Sequence, residues 1–191
     1  MSSKVTIDTP MPTALIPLAE DFEEIEAVTI IDVLRRASIE VTIAALDNEL
    51  VTGSHRIPLL ADCLLSEVLG NSYDLIALHG GPGTKHLKAS PQVLQLLKEQ
   101  SAQGKLIGAI CAAPTVLSSA GLLKERRATA YPTVKGELEV KEYLDVDVVV
   151  DGNIITGRSP SAALPFALKL VELLSGMERA KLTAQAMIYA V

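Results

Sequence analysis

Short apolar segments alternate with segments of helix length along this chain, and this alternation constrains its fold more than any other feature. The runs TALIPL, EVTIAAL and KLIGAIC are short, apolar and partly β-branched, as buried strands are. The segments between them have the length and periodicity of helices. Strands and helices that alternate in this order form a mainly parallel sheet with helices on both faces. We therefore predict an α/β fold.

Local signals place the main elements. A helix is predicted from about Glu23 to Ala37, and a second begins after Ser90 and ends at Gly104. The segment CLLSEVL is predicted as a short helix ending at Gly70. No repeat or linker interrupts the 191 residues, so we predict a single domain over residues 1–191, with residues 1–12 as an N-terminal extension. Two closing helices are predicted over Ser161–Ser175 and Glu178–Ala190.

The composition argues against several classes of function. A net charge of −6 and a pI near 5.1, without a basic cluster, disfavour nucleic acid or an anionic membrane as a partner. No apolar stretch has the length of a membrane span or the pattern of a secretory signal, so a cytoplasmic protein with two free thiols is expected. The three histidines are scattered along the chain. The glycine-rich segment HGGPG does not have the G-x-G-x-x-G spacing of a dinucleotide-binding turn. Neither a metal nor a cofactor is predicted.

The first helix is apolar on nearly all sides. From Ile25 to Leu34, only Glu26, Thr29 and Asp32 are polar. A helix of this kind is covered on more than one side. The sheet supplies one cover, and we predict that a second copy of the chain supplies the other in a homodimer. The alternative is that the C-terminal helices provide the second cover.

The segment GAICAAPT places Cys111 where a strand passes into a helix. Open parallel sheets bind ligands at the carboxyl ends of their strands. The first amides of the following helix favour a thiolate over a thiol, and the turn resembles a nucleophile elbow with cysteine in place of serine. The alternative is a cysteine buried only by packing. Packing is the interpretation we favour for Cys63, which has no such turn beside it.

The segment HGGPG follows another predicted strand. Its small residues let backbone amides approach a reacting oxygen, so the amides of Gly81 and Ala112 are candidates for a two-donor oxyanion hole. The alternative interpretation of the same glycines is a plain loop.

Taken together and in this order, the motifs LHGGPGT, GAICAAPT and TGRSP resemble the ThiJ/PfpI superfamily and, within it, the DJ-1-like branch. The segments AEDFEEIEAV and FALKLVELLSG are similar to the same branch, so the resemblance runs from about Thr13 to Ile188. It implies a flavodoxin-like sandwich of the kind found in class I glutamine amidotransferases, commonly as a dimer.

The resemblance also implies roles for single residues. The family's nucleophile falls on Cys111, and its protonated acid, which hydrogen-bonds the thiolate, falls on Glu26. Periodicity alone places Glu26 in a narrow polar strip that faces solvent. The oxyanion donors fall on Gly81 and Ala112, and Gly80 is a candidate for the pocket beside them.

Several positions depart from the family pattern. Tyr131 stands where relatives with a Cys–His pair have the histidine, which leaves Glu26 for proton transfer; we count Tyr131 as a pocket candidate. Ala112 stands where protease-like relatives have a histidine, which argues against a peptidase. Gly157 replaces a serine and removes a hydroxyl near the sulfur. Arg158 is retained, either as a pocket residue or in an ion pair at the surface or a dimer interface.

The function implied is that of a cysteine-dependent, cofactor-independent glyoxalase or deglycase in defence against carbonyl and oxidative stress. Its substrates would be methylglyoxal, glyoxal or their adducts with amines and thiols, with glyoxalase III-type hydro-lyase chemistry. The alternative is a redox-sensing stress protein or chaperone that works through oxidation of Cys111 without turnover. A glutaminase-like amidase would need a Cys–His–Glu triad, for which no matching histidine is present.

Overall fold

A central sheet organises the computed structural model, which describes residues 10–190. The predicted extension over residues 1–12 therefore lies outside the described residues up to residue 9. The strands are β1 Thr13–Leu18, β2 Glu40–Ala45, β3 Leu50–Thr52, β4 Pro58–Leu60, β5 Cys63–Leu64, β6 Leu75–Leu78, β7 Leu106–Ile110, β8 Arg127–Ala128, β9 Glu142–Tyr143, β10 Val148–Asp151 and β11 Ile154–Gly157.

Helices cover both faces of this sheet. They are α1 Glu24–Arg36, α2 Leu65–Val68, α3 Thr84–Ala89, α4 Pro91–Ala102, α5 Pro114–Ser119, α6 Ala163–Ser175 and α7 Met177–Ala186. Two short 3-10 helices, Pro132–Glu137 and Pro160–Ala162, lie in the connections. None of the helices in the described part of the chain is both long and apolar enough to cross a membrane.

The sheet has the strand order β10–β11–β7–β6–β1–β2–β5. Every neighbouring pair is parallel except β10 with β11, which forms an antiparallel hairpin at one edge. Its five central strands follow the flavodoxin-like order, in which the second strand of the chain lies outside the first. The predicted α/β fold with a mainly parallel sheet and helices on both faces is confirmed.

Two hydrophobic cores lie on the two faces. One contains apolar side chains of α1 and α6, and the other contains those of α4 and α5. Strand β1 is buried from Ala14 to Leu18, with alternate side chains entering opposite cores. A strand covered on both sides reads as a continuous apolar run, which is why TALIPL was recognisable in the sequence.

Most predicted elements are confirmed, one is wrong and one is too long: the last helix, predicted over Glu178–Ala190, ends at Ala186. Ser90 caps α4 as predicted, and its hydroxyl accepts a hydrogen bond from the Val93 amide at 3.3 Å. In CLLSEVL, however, Cys63 and Leu64 form strand β5 beside β2, and only Leu65–Val68 is helical. The open edge of β2 satisfies the backbone of these two residues, and helix periodicity cannot detect such an edge.

The surface of α1 bears on the predicted homodimer. Helix α6 packs against α1, so the C-terminal region does supply a second cover. Ile25 and Val28 nevertheless remain 58% and 46% exposed. The homodimer stays a prediction.

Candidate active site

The ends of three neighbouring strands bring the predicted site residues together. Strands β7, β6 and β1 are adjacent in the sheet. Cys111 directly follows β7, the Gly80–Gly81 turn follows β6, and Glu26 lies in the first turn of α1, after β1. Because these strands are parallel, their carboxyl ends meet at one edge, where open α/β sheets bind ligands.

Cys111 has the backbone of a nucleophile elbow. Its φ of 63° lies in the left-handed region, which costs a non-glycine residue about 1–2 kcal/mol. Two backbone hydrogen bonds hold it there: its amide donates to the Gly157 carbonyl at 2.9 Å, and its carbonyl accepts from the Tyr131 amide at 2.8 Å. The side chain is 7% exposed. The strained turn therefore fixes the sulfur at the edge formed by the carboxyl ends of the parallel strands.

Glu26 is fully buried, so its predicted place in a solvent-facing strip is wrong. The Gly80 amide donates to its Oε2 at 2.7 Å, while Oε1 meets no donor among the described residues. Burial raises the pKa of Glu26 to about 7; the neighbouring Cys111 side chain and the hydrogen bond from the Gly80 amide oppose this shift, and the charge of Glu23 adds to it. Glu26 is thus poised to hold a proton near neutral pH.

The Cys111 thiol and Glu26 behave as one titrating pair. Burial, followed by the charge of an ionised Glu26 and a hydrogen bond to it, raises the pKa of Cys111, whereas the amides of Gly81 and Ala112 lower it. Once Glu26 is protonated, its charge is gone and its O–H can donate to sulfur. The pKa of Cys111 is raised overall, so the prediction that the helix amides favour a thiolate is wrong for the free site; a proton on Glu26 removes one of the opposing causes, whereas burial remains.

The two positions after β6, Gly80 and Gly81, require glycine because neighbouring atoms leave no room for a Cβ. A Cβ on Gly80 would lie 2.6 Å from both the Cys111 Cβ and the Glu26 Oε2. Gly81 has a φ of 88°, and its Cβ would lie 2.6 Å from the Glu23 amide nitrogen. Without side chains, the backbone at this turn reaches both the acid and the sulfur. The amides of Gly81 and Ala112 lower the pKa of the Cys111 thiol, and they remain the candidate donors of an oxyanion hole.

The remaining pocket candidates line an open cavity of about 440 Å³ formed by residues 131–133 and 158–161. Tyr131 and Arg158 both line it, and Tyr131 is 41% exposed. The Arg158 Nη2 lies 2.6 Å from Asp145 Oδ1, so this arginine forms a surface ion pair. A Cβ built at Gly157 would lie 2.8 Å from the Cγ1 of Ile110 and 2.9 Å from the Cδ2 of Phe166, so a serine at this position would require these side chains to shift.

One cluster of side chains has the spacing of metal ligands, although the sequence predicts no metal site. It consists of Glu23, Glu24 and His55. One ligand atom from each lies within 4.8 Å of the others. The carboxylate of Glu24 is already bound by the His55 amide at 2.6 Å and by the His55 Nδ1 at 2.8 Å. These bonds lower the pKa of Glu24 to about 2 despite its burial. The group fastens the β3–β4 turn to the start of α1.

His79 is a buried residue of the site that sequence reasoning counted only among scattered histidines. Its Nδ1 lies 2.7 Å from the carbonyl oxygen of Gly80, and its side chain is fully buried. Its position in the sequence could have indicated a role in the site, because it stands between an apolar strand and two glycines.

Comparison with known proteins agrees with this geometry. Protein DJ-1 homolog B of Arabidopsis thaliana is 46% identical over 171 residues, 88% of this chain but 39% of that protein, so the chain spans about two fifths of its length. The glutathione-independent glyoxalase DJR-1.2 of Caenorhabditis elegans is 41% identical over 84% of this chain and 87% of its own. The crystal structure of Drosophila melanogaster DJ-1beta superimposes with a TM-score of 0.91 at 41% identity, covering 95% of this chain and all of that one.

The DJ-1/PfpI family matches residues 12–173, a range that includes all three strand ends and every residue of the Cys111–Glu26 site. The elbow, the buried acid and the glycine turn thus lie inside the matched region, and the chain belongs to the DJ-1/PfpI family.

Proposed function

We propose that this chain is a cysteine-dependent glyoxalase that converts methylglyoxal or glyoxal to the corresponding hydroxy acid without a cofactor. The observation that carries the proposal is the buried Glu26, which is bound by the Gly80 amide, has a raised pKa and lies beside Cys111 at a strained elbow. A relative at 41% identity is named a glutathione-independent glyoxalase, which supports the same reaction class. Adducts of these aldehydes with amines and thiols, the substrates of a deglycase, would enter by the same attack.

The reaction begins with the Cys111 thiolate. The sulfur attacks the aldehyde carbon, a C–S bond forms, and the carbonyl oxygen takes the proton of Glu26 to give a hemithioacetal. The amides of Gly81 and Ala112 stabilise the oxygen while it carries negative charge. This step leaves Glu26 ionised beside the adduct.

Glu26 then moves a proton along the adduct. Its carboxylate removes the hydrogen of the former aldehyde carbon, and the electrons pass to the neighbouring ketone to form an enediol. Return of the proton to the second carbon gives a hydroxyacyl thioester, which water hydrolyses to the hydroxy acid and the free thiol. One carbon is oxidised and its neighbour is reduced, so the sequence balances without an external oxidant.

The purified chain is expected to form lactate from methylglyoxal in the absence of glutathione, as measured by proton NMR. Cys111→Ala should reduce the rate to that of buffer, because no covalent adduct can form. Cys63→Ala is the matched control and should retain the wild-type rate, since Cys63 lies at the β5 edge. Lactate formation by Cys111→Ala at the wild-type rate would refute the proposal.

A redox sensor is the second candidate. A sulfinate at Cys111 would accept hydrogen bonds from the amides of Gly81 and Ala112 and from protonated Glu26, and these three donors favour its accumulation. At Cys63, burial and the nearby acids Glu67, Asp62 and Glu49 raise the pKa of the thiol.

Mild hydrogen peroxide is expected to add two oxygens to Cys111 and none to Cys63, with two peroxide molecules reduced to water. Intact-mass and peptide mass spectrometry measure both sites in one sample. Equal oxidation of Cys63 would sink the sensor role. Selective oxidation in a protein that forms no lactate would favour the sensor over the glyoxalase.

A further inference from the structure

The Gly80–Gly81 peptide bond carries one of the two amide donors at Cys111, yet its own residues do little to fix its orientation. Glycine on both sides of a peptide removes the Cβ contacts that normally limit φ and ψ. In a trans peptide, the carbonyl of Gly80 and the N–H of Gly81 point in opposite directions. A rotated peptide would turn the carbonyl towards sulfur and remove the donor. Contacts from elsewhere must therefore hold this peptide.

Two donors bind the Gly80 carbonyl. The Nδ1 of His79 lies 2.7 Å from its oxygen, and the backbone amide of Glu23 donates to the same oxygen at 3.1 Å. The N–H of Gly81 lies at the opposite end of the peptide, and this amide is one of the two that lower the pKa of the Cys111 thiol. The side chain of His79 thus acts on the end of the peptide that faces away from the nucleophile.

The surroundings of His79 select one tautomer. Nδ1 faces a carbonyl oxygen, which only accepts, so Nδ1 carries the proton. Nε2 faces the Ala19 amide at 3.4 Å, which donates, so Nε2 is bare. The ring is fully buried, with its centroid 5.9 Å from that of Phe22 in an edge-to-face contact. Burial lowers the pKa of His79 to about 4, so the ring is neutral under ordinary conditions.

We propose that His79 is a positioning residue: its Nδ1–H holds the Gly80 carbonyl so that the Gly81 amide faces the Cys111 sulfur. The catalytic consequence rests on the proposed glyoxalase function, whereas the consequence for the thiol does not. His79 itself touches neither substrate nor sulfur in this role.

The test compares His79→Leu, which removes the donor, with His79→Asn, which places an amide donor near the Nδ1 position. Both are made in a Cys63→Ala chain, so that only Cys111 reacts with iodoacetamide. We expect His79→Leu to raise the midpoint of the Cys111 alkylation profile by about one pH unit, because the thiolate loses an amide donor. For methylglyoxal, kcat should fall about tenfold or more with KM nearly unchanged. His79→Asn should restore most of both.

Two outcomes would overturn the proposal: a wild-type alkylation profile in folded His79→Leu, or His79→Asn as impaired as His79→Leu at equal thermal stability. If His79→Leu does not fold, nitrogen-15 NMR of the wild-type ring decides, since a proton on Nε2 at pH 7 contradicts the role and a proton on Nδ1 supports it. If the wild-type chain forms no lactate but the His79 variants show the predicted alkylation shifts, the glyoxalase function is refuted and the positioning role stands.

Discussion

Replacing Glu26 by glutamine is expected to lower kcat for methylglyoxal by roughly 10²–10⁴-fold, the usual contribution of a positioned general acid or base. Glutamine keeps the size of the side chain and can still accept the Gly80 amide, which donates to Oε2 at 2.7 Å in the wild type. It cannot release or take up the proton that the hemithioacetal and enediol steps require. Steady-state kinetics with lactate detection measures the loss.

Glu24→Gln is the matched control for this substitution. Glu24 is buried in the same helical turn, but its carboxylate binds the β3–β4 turn through His55 rather than facing Cys111. Its replacement should reduce stability and leave kcat close to the wild-type value. Equal losses of kcat in the two variants would show that Glu26 has no role in proton transfer.

The same variant should alter how stability depends on pH. The pKa of Glu26 is raised from 4.5 to about 7, so the folded chain keeps a proton that the unfolded chain releases. Its contribution to stability is present below pH 4.5 and is lost as pH rises to 7. Relative to Glu26→Gln, the wild type should lose on the order of 3 kcal/mol across this window.

The pKa of His79 shifts in the opposite direction, so the effect of Glu26 has to be measured as the difference between the wild type and Glu26→Gln. Burial lowers the pKa of His79 from 6.5 to about 4, so its contribution is lost as pH falls from 6.5 to 4. The two trends partly cancel in the wild type. Urea unfolding of both chains at several pH values isolates Glu26, and parallel curves would contradict its raised pKa.

Replacing Gly80 by alanine is expected to lower kcat/KM by at least about 100-fold and to destabilise the fold by about 1–3 kcal/mol. The new Cβ would lie 2.6 Å from the Cβ of Cys111 and 3.0 Å from the amide nitrogen of Ala112. It would also lie 2.6 Å from the Glu26 Oε2, so relief of the clash separates the acid from the sulfur. Kinetics and thermal unfolding measure the two effects.

Gly70→Ala is the control for a glycine replaced without crowding. No atom lies within 4 Å of a Cβ built at Gly70, which is exposed. This variant should keep wild-type kinetics and change stability by less than about 1 kcal/mol. Wild-type kcat/KM in Gly80→Ala would mean that the approach of the turn to Cys111 and Glu26 does not matter for the reaction.

Local patterns were sufficient for the parts of the fold that depend on local physics. The apolar run at residues 13–18 predicted β1 to the residue, because a strand buried on both faces needs an apolar side chain at almost every position. Ser90 predicted the start of α4, because its hydroxyl caps the helix directly. The strand at Cys63–Leu64 was missed, since it exists only because β2 offers an open edge.

The candidate site divides in the same way. Cys111 was found from its strand-to-helix junction, and Gly81 from its glycine-rich turn. Periodicity placed Glu26 in a polar strip that faces solvent. Only the family resemblance indicated that Glu26 has a catalytic role. Periodicity failed there because the turn after β6, which donates the Gly80 amide to Glu26, comes from a distant part of the chain. His79 was missed for the same reason, since its partners are set by the turn.

The sequence by itself determined the alternation of strands and helices, the elbow cysteine and the glycines that allow close approach, because each of these depends on neighbouring residues. Only the tertiary structure decided that Glu26 is buried against Cys111 and that His79 holds the Gly80 carbonyl. Burial and hydrogen-bond partners come from other strands of the sheet, and they, rather than residue type, set the proton affinity of a buried acid and the direction of a peptide.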